Sequence, residues 1–319
     1  MNSNAAEDMP LKTMRPFRGR RHLAESSGKM IFTGYYNGEI GPLEDMKIPM
    51  LDRMVFFGDA CYDMATFRNR RAFALRDHLN RFYRSCSQLD IHPELGPEEL
   101  AAEIQKLIDF SDSDRGSVYW QASRGTKLRS FAYGKDPLKA NLIMYAGPSE
   151  LEPERKVYRL RSQEDTRFLH CNIKTTNLIP AVLYSQQALE EGCEESILHR
   201  NGYVTECAHS NVVLLRNGEL WVRPQDNLIL PGVTMNILIM LTNEIGVPVR
   251  EQIFTLEELR SADEIIITST GVPCVPGVSL DGKPVGGHEP MLLQKLRQAY
   301  MDFYNANTSR EEILDEAHY

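Results

Sequence analysis

No stretch of the 319 residues approaches the roughly 18–20 consecutive apolar residues of a membrane-spanning helix. Cysteine is sparse and dispersed. Its six copies (Cys61, Cys86, Cys171, Cys193, Cys207, Cys274) include no CxxC pair. That excludes a small disulfide scaffold and points to reduced thiols in a cytoplasm. The eight histidines form no HExxH or other short-spaced set, so no metal site is expected. Positive charge is in deficit, with 36 Lys and Arg against 44 Asp and Glu, for a net charge of −8. A chain of that sign repels phosphate backbones, and nucleic acid is not an expected partner. GxGxxG, Walker A and GxSxG patterns are absent, as are internal repeats and low-complexity tracts. The N-terminal thirty residues lack the apolar core of a secretory signal, and Glu7, Asp8 and Glu25 argue against a transit peptide. Residues 1–29 read as an extension that packs on the surface or on a partner subunit.

What is present is ordinary for a globular protein: 42% hydrophobic, 25% charged and 8% aromatic residues. The length favours two domains over one core. A polar, Pro- and Gly-containing break, "GPSELEPERK" (147–156), divides a first domain (30–148) from a second (149–319). In the first, "MIFTGYYNGEI" predicts a hairpin turning at Asn37-Gly38. "MVFFGDACYDMATFRNRRAF" predicts two more strands. Leu75, Leu79, Phe82 and Leu89 recur at helical spacing, and Pro97 opens a second helix. "GSVYWQASRG" and "KANLIMYAG" read as strands. In the second domain, strands "KVYRLRSQ", "RFLHCNIK", "ESILHR", "YVTECAHSNVVLL", "ELWVRP", "VREQIF" and "EIIITSTG" alternate with helices starting near Pro180, Thr234 and Thr255, and a last helix follows Pro290. Asn201-Gly202 and Asn217-Gly218 mark further turns. The fold class is therefore α/β or α+β.

Several residues stand out for their chemistry. Lys174 closes the "RFLHCNIK" run a few residues before a helix start. Desolvation and the positive helix pole would disfavour its ammonium form there, and a neutral amine is the nucleophile for a carbonyl carbon. A lysine snorkelling from a strand end is the plain alternative. Glu206 lies in an otherwise apolar or small-residue strand and, if buried, must be paired. It can hold a pyridinium nitrogen, or instead be an exposed strand glutamate or the partner of a structural arginine. Gly232-Val233-Thr234 opens a helix, and Ser269-Thr270-Gly271 ends a strand; amides and hydroxyls there can cradle an anion, though Ser, Thr and Gly are also common caps and turns. Arg81 offers a charge-assisted bond to the same anion, or is a solvated helix arginine.

Taken in order, "GDACYD", "DHLNRFYRS", "YWQASRG", "CNIKTTNLIPAVLYSQQALEEGCEESILHRNGYVTECAHSNVV", "NLILPGVT" and "DEIIITST" resemble the fold-type IV pyridoxal-phosphate enzymes, the class-IV aminotransferase family. Their wording is closest to the D-amino-acid aminotransferases; branched-chain and (R)-amine transaminases and aminodeoxychorismate lyase are other members. The resemblance implies a smaller α/β domain and a larger pseudo-barrel domain with pyridoxal 5′-phosphate between them. It also implies a homodimer in which one subunit completes the other's pocket. It implies that Lys174 forms the Schiff base, that Glu206 pairs with the pyridine nitrogen, and that Arg81, Val233, Thr234, Ser269 and Thr270 hold the phosphate. Tyr62 would lie near the substrate, and Arg167 behind the cofactor contacts. The reaction implied moves an amino group from a D-amino acid or related amine to a 2-oxo acid. Two departures stand out. In "RGTKLRSFAYG", Arg129 is present but Phe131 replaces the histidine of an Arg-x-His pair that receives the substrate carboxylate. In "TECAHSN", His209 replaces a small residue, and either touches ring or substrate or only packs.

Overall fold

The computed structural model describes residues 32–149 and 156–309. The expected N-terminal extension, and most of the expected break at 147–156, lie outside them. Strands β1 (Thr33–Tyr36) and β2 (Glu39–Pro42) pair antiparallel across Asn37 and Gly38, both at positive φ (44° and 97°). That is the geometry for which Asn-Gly is favoured. The pairs Asn201-Gly202 and Asn217-Gly218 repeat it at two later hairpins.

The next strand is preceded by a short helix. In α1 (Arg53–Phe57), Asp52 accepts a hydrogen bond from Met54 N at 2.9 Å and Gly58 ends the turn at φ 60°. A capping aspartate and a left-handed glycine thus override the β preference of "MVFF". After it come β3 (Ala60–Arg68), β4 (Arg71–Ala72), α2 (Leu75–Gln88), α3 (Pro97–Phe110), β5 (Arg115–Ser123) and β6 (Asn141–Pro148). The six strands form one antiparallel sheet in the order β2-β1-β6-β5-β3-β4. Helices α2 and α3 supply Leu79, Phe82, Leu100, Ile104 and Leu107 to a core shared with Phe67, Val118, Trp120 and Met144 of the sheet.

The second sheet is built from β7 (Tyr158–Glu164), β8 (Glu195–Arg200), β9 (Tyr203–Cys207), β10 (Asn211–Arg216), β11 (Glu219–Val222), β12 (Val249–Glu251), β13 (Glu264–Ser269), β14 (Val272–Leu280) and β15 (Lys283–Pro284). Its order is β12-β11-β10-β13-β14-β7-β8-β9, with β15 on β14. Helices α4 (Ile179–Glu190), α5 (Val233–Glu244), α6 (Leu256–Arg260) and α7 (Pro290–Asn307) accompany it. Along β13 the isoleucines alternate: Ile265 and Ile267 enter one apolar cluster and Ile266 the other. A strand buried on both faces reads as a continuous apolar run. The described residues belong to one compact unit and form a mixed α/β fold.

Two expectations are corrected, and one strand was not anticipated. "RFLHCNIK" is not a strand. Residues 165–178 are irregular, held by turns such as Ile173 N to His170 O and by an isolated bridge between Thr175 and Cys61. "YVTECAHSNVVLL" is two strands, broken at 208–210 where Cys207 N bonds Ser210 O. "VPCVPGVSL" forms β14, a nine-residue strand that its two prolines hide from a propensity reading.

Candidate active site

The irregular segment 165–178 is stitched to the first sheet, and this positions Lys174. Its N–H donates to Ser85 Oγ at 3.1 Å, and its carbonyl accepts from Tyr62 N at 3.0 Å. The Nζ sits 4.4 Å from the centroid of the Tyr62 ring. A side chain borne by a strand would leave its backbone in a ladder; here the backbone joins α2 and β3 instead.

Arg81, on α2, is buried, not a solvated helix arginine. Its Nε and Nη2 donate to Asp63 Oδ2 and Oδ1 at 2.8 and 2.7 Å, and Nη1 reaches Pro231 O at 3.2 Å. His78 donates from Nδ1 to Asp63 at 2.8 Å. Burial alone would raise Asp63, but Arg81 and then His78 hold its carboxyl well below the usual range. Burial lowers His78 in turn, against the pull of Asp63, with Arg81 and Lys174 nearby acting in the same direction as burial. The guanidinium is thereby fixed against the chain just before α5.

Glu206 lies in β9, buried and paired, as one of its readings required. Oε1 accepts from Arg167 Nη1 at 2.5 Å, and Oε2 accepts from Asn211 Nδ2 and Leu230 N at 2.9 and 3.0 Å. Arg167 is itself held by Asp165 through Nε and Nη2, both at 2.9 Å. Burial nonetheless raises Glu206 above the ordinary carboxylate value, outweighing Arg167. A second cation beside it would relieve that strain.

Helix α5 opens at Gly232 with no side-chain cap and no acid in its first turn, leaving its positive pole and first amides unclaimed. A Cβ on Gly232 would stand 2.0 Å from Asn211 Oδ1, so the glycine lets the asparagine reach both Glu206 and Leu230 O. Buried Thr234 bonds the Tyr300 hydroxyl. Thr268, next to Ser269 in β13, keeps a buried Oγ1 without a hydrogen-bond partner.

One cleft of about 960 Å3, mouth included, is lined by Tyr62, Arg81, Arg167, Lys174, Glu206, His209, Val233, Thr234, Ser269 and Thr270. Arg129 and Phe131 do not line it. Both are exposed and gather around Phe57, with Arg129 Cζ 5.3 Å from each ring centroid. His209 sits at the cleft wall with Nδ1 3.0 Å from Glu195 Oε2.

Sequence reading missed Asp63, His78, Asp165, Asn211 and Glu195. Asp63 left one signal: in β3 it occupies the side otherwise taken by Cys61, Ala65 and Phe67, a charge in a buried stripe. Asp165 gains meaning from Arg167, two residues on in an irregular segment, and the others from partners 15 residues away or across the β9–β10 corner.

A family model described as Amino-transferase class IV matches residues 60–280. A D-alanine aminotransferase of Listeria monocytogenes serotype 4b (strain F2365) is 32% identical over 271 residues, covering 83% of this chain and 94% of the relative. Among solved structures, a branched-chain amino acid aminotransferase of T.th. with pyridoxamine 5′-phosphate superposes with a TM-score of 0.77 at 25% identity, covering 88% of this chain and 95% of its own. A putative 4-amino-4-deoxychorismate lyase from Legionella pneumophila shares the fold at TM-score 0.75 and 20% identity, over 82% and 97% of the two chains.

Proposed function

The chain belongs to the class IV aminotransferases and is a pyridoxal-phosphate-dependent transaminase, and from that premise we propose that it carries the amino group of a D-amino acid to a 2-oxo acid such as pyruvate or 2-oxoglutarate. The observation behind the site assignment is the convergence of Lys174, Glu206 and both anion cradles on one cleft. The D-amino acid rests on likeness to the Listeria D-alanine aminotransferase over nearly its whole length.

The residues fit the cofactor. The uncapped start of α5, Thr234, Ser269, Thr270 and Arg81 suit a phosphate, and the unpartnered Thr268 hydroxyl offers one more donor. Glu206 Oε1, which accepts only from Arg167, keeps lone-pair capacity for a ring N–H. When bound, pyridoxal phosphate supplies an electron sink for negative charge at the substrate's reacting carbon. Lys174 supplies the amine that holds it and, once freed, moves a proton at Nζ. Glu206, oriented by Arg167 and Asn211, stabilises a protonated ring nitrogen. The Tyr62 ring lies against Lys174 Nζ and limits where it travels. Arg129 and Phe131 face away from this chain's cleft, and we assign them to the cleft of a second copy in a homodimer. There Arg129 receives a carboxylate and Phe131 makes the wall apolar.

The test is a half-reaction. The loaded enzyme, mixed with D-alanine, should lose the absorbance of the lysine-held cofactor and release pyruvate, with L-alanine and an (R)-amine slower. If no D-amino acid does this, the substrate reading falls. Aminodeoxychorismate alone yielding pyruvate would favour a lyase. Lys174→Ala should abolish the covalent linkage while the protein stays folded; turnover surviving that change would refute the assignment.

A further inference from the structure

Both arginines of the cleft are already committed. Arg81 is held by Asp63 and Pro231 O, and Arg167 by Asp165, Glu206 and Leu228 O. Lys174 is reserved for the cofactor. A 2-oxo acid nevertheless brings at least one carboxylate into this space, and a desolvated carboxylate needs donors. Besides the Arg129 assigned above from a second copy, the remaining basic side chain that this chain itself places on the cleft wall is His209.

Its setting is built. His209 occupies the tip of the β9–β10 corner, closed by Cys207 N to Ser210 O at 2.8 Å and Ala208 N to Ser196 O at 3.0 Å. Behind it lies Glu195, fully buried at the start of β8. That carboxylate accepts from Ser196 N at 2.8 Å and Ala208 N at 3.3 Å on Oε1, and from Ser210 Oγ at 2.6 Å on Oε2. His209 Nδ1 stands 3.0 Å from the same Oε2. Ser185 Oγ of α4 lies 3.5 Å from the same Nδ1. Nδ1–H is therefore fixed on Glu195, and Nε2 has no partner among the described residues. A ring so anchored has one tautomer and one free nitrogen.

We propose that His209 receives a carboxylate of the substrate through Nε2–H, with Glu195 as the positioning residue behind it. The inference rests on the transaminase reading above and adds to it a second carboxylate-receiving group, beside the Arg129 of the second copy, that favours acids over neutral amines. Several charged groups face the ring. Glu195 comes from β8, Lys174 from the irregular segment, and Glu206 with Arg167 line the same cleft. Burial would lower the imidazole and Lys174 opposes its charge, but Glu195 outweighs both and raises His209 above its ordinary value. The imidazolium form, with Nε2–H as donor, is therefore held to higher pH than in an unpaired imidazole and is lost as pH rises through the raised value.

The side chain is half exposed, which screens the interaction. The expected effect is roughly three- to thirty-fold in KM, the range of a charged hydrogen bond after that discount. The pyridoxal-phosphate-loaded enzyme and His209→Gln are compared with D-alanine as donor and pyruvate or 2-oxoglutarate as acceptor, at about pH 6 and about pH 8.5, either side of the imidazole range. The acceptor KM should be higher in the variant, with kcat changed less, and should climb with pH in the wild type but not in the variant. An equal effect on both acceptors places the carboxylate beside the carbonyl. An effect on 2-oxoglutarate alone places it at the far end. KM values unchanged for both acceptors at both pH values overturn the proposal. Calorimetric titration with the unreactive acids propionate and glutarate gives a readout without turnover. Wild-type binding at low pH should weaken in His209→Gln, and equal binding would overturn the proposal. If the wild type binds these acids but transaminates no D-amino acid, the substrate reading fails while the His209 assignment stands.

Discussion

Glu206 carries an unresolved electrostatic tension at the scale of one residue. Its carboxylate is buried, it holds an arginine, and burial still raises it above the ordinary value. A cationic ring nitrogen alongside would complete the set of charges. Glu206→Gln keeps the shape and removes the negative charge, so kcat should fall by roughly 10- to 100-fold, the worth of a charge-assisted bond. The loaded variant's absorbance should also show a ring nitrogen that titrates at lower pH. A variant with unchanged kcat would mean that Glu206 only anchors Arg167. Glu206 and Lys174 were both legible in the sequence as residue types in odd places. Arg167 was named only through the family resemblance, and Asn211, which also aims Glu206, was not, because its role is defined by distance, which spacing does not encode.

At the scale of elements, the site is made where a helix start meets a strand corner. Helix α5 begins uncapped, and Gly232 permits Asn211 to approach. Gly232→Ala has no φ penalty at −71°, so any effect comes from the Cβ pressing on Asn211 Oδ1. Pyridoxal-phosphate affinity should drop about tenfold, following loss of one or two hydrogen bonds of about 1 kcal/mol each, with little change in secondary structure by circular dichroism. Equal affinity would show that the asparagine moves without consequence. The sequence announced this element correctly, through the apolar period after "LPGVT". It misjudged the segment bearing Lys174, since four apolar residues among eight (Phe168, Leu169, Cys171 and Ile173) look like a strand whether or not a neighbouring strand exists to pair with them. Here no ladder is available, and the chain instead bonds to α2 and β3.

Across the whole molecule, stability should be acid-sensitive. Asp63, Asp59 and Asp165 are all held below the ordinary carboxylate range; burial opposes this in each, and arginine partners overcome it. A depressed folded value means the contribution is present above the unfolded value, about 3.9, and is lost as pH falls through the folded values. The melting temperature should therefore decline steeply below about pH 4. Asp63→Asn should flatten that limb and also lower the neutral melting temperature, since it leaves the buried Arg81 without its counter-charge. An acid limb unchanged in Asp63→Asn would place the sensitivity elsewhere.

The sequence by itself determined the hairpins, because Asn-Gly pairs admit the positive φ that a two-residue turn demands. It determined most helices, through apolar period and proline starts, and it singled out Lys174, Glu206 and the two candidate anion cradles, which share one cleft. Only the tertiary structure decided that Arg81 is clamped by Asp63 and that Arg129 and Phe131 leave this cleft. It alone decided that His209 leans on a buried glutamate with one nitrogen open. Local preference acts over a few residues, whereas these pairings join β3 to α2 and β8 to the β9–β10 corner. Burial and Coulomb energy depend on that through-space proximity and leave no periodic trace along the chain.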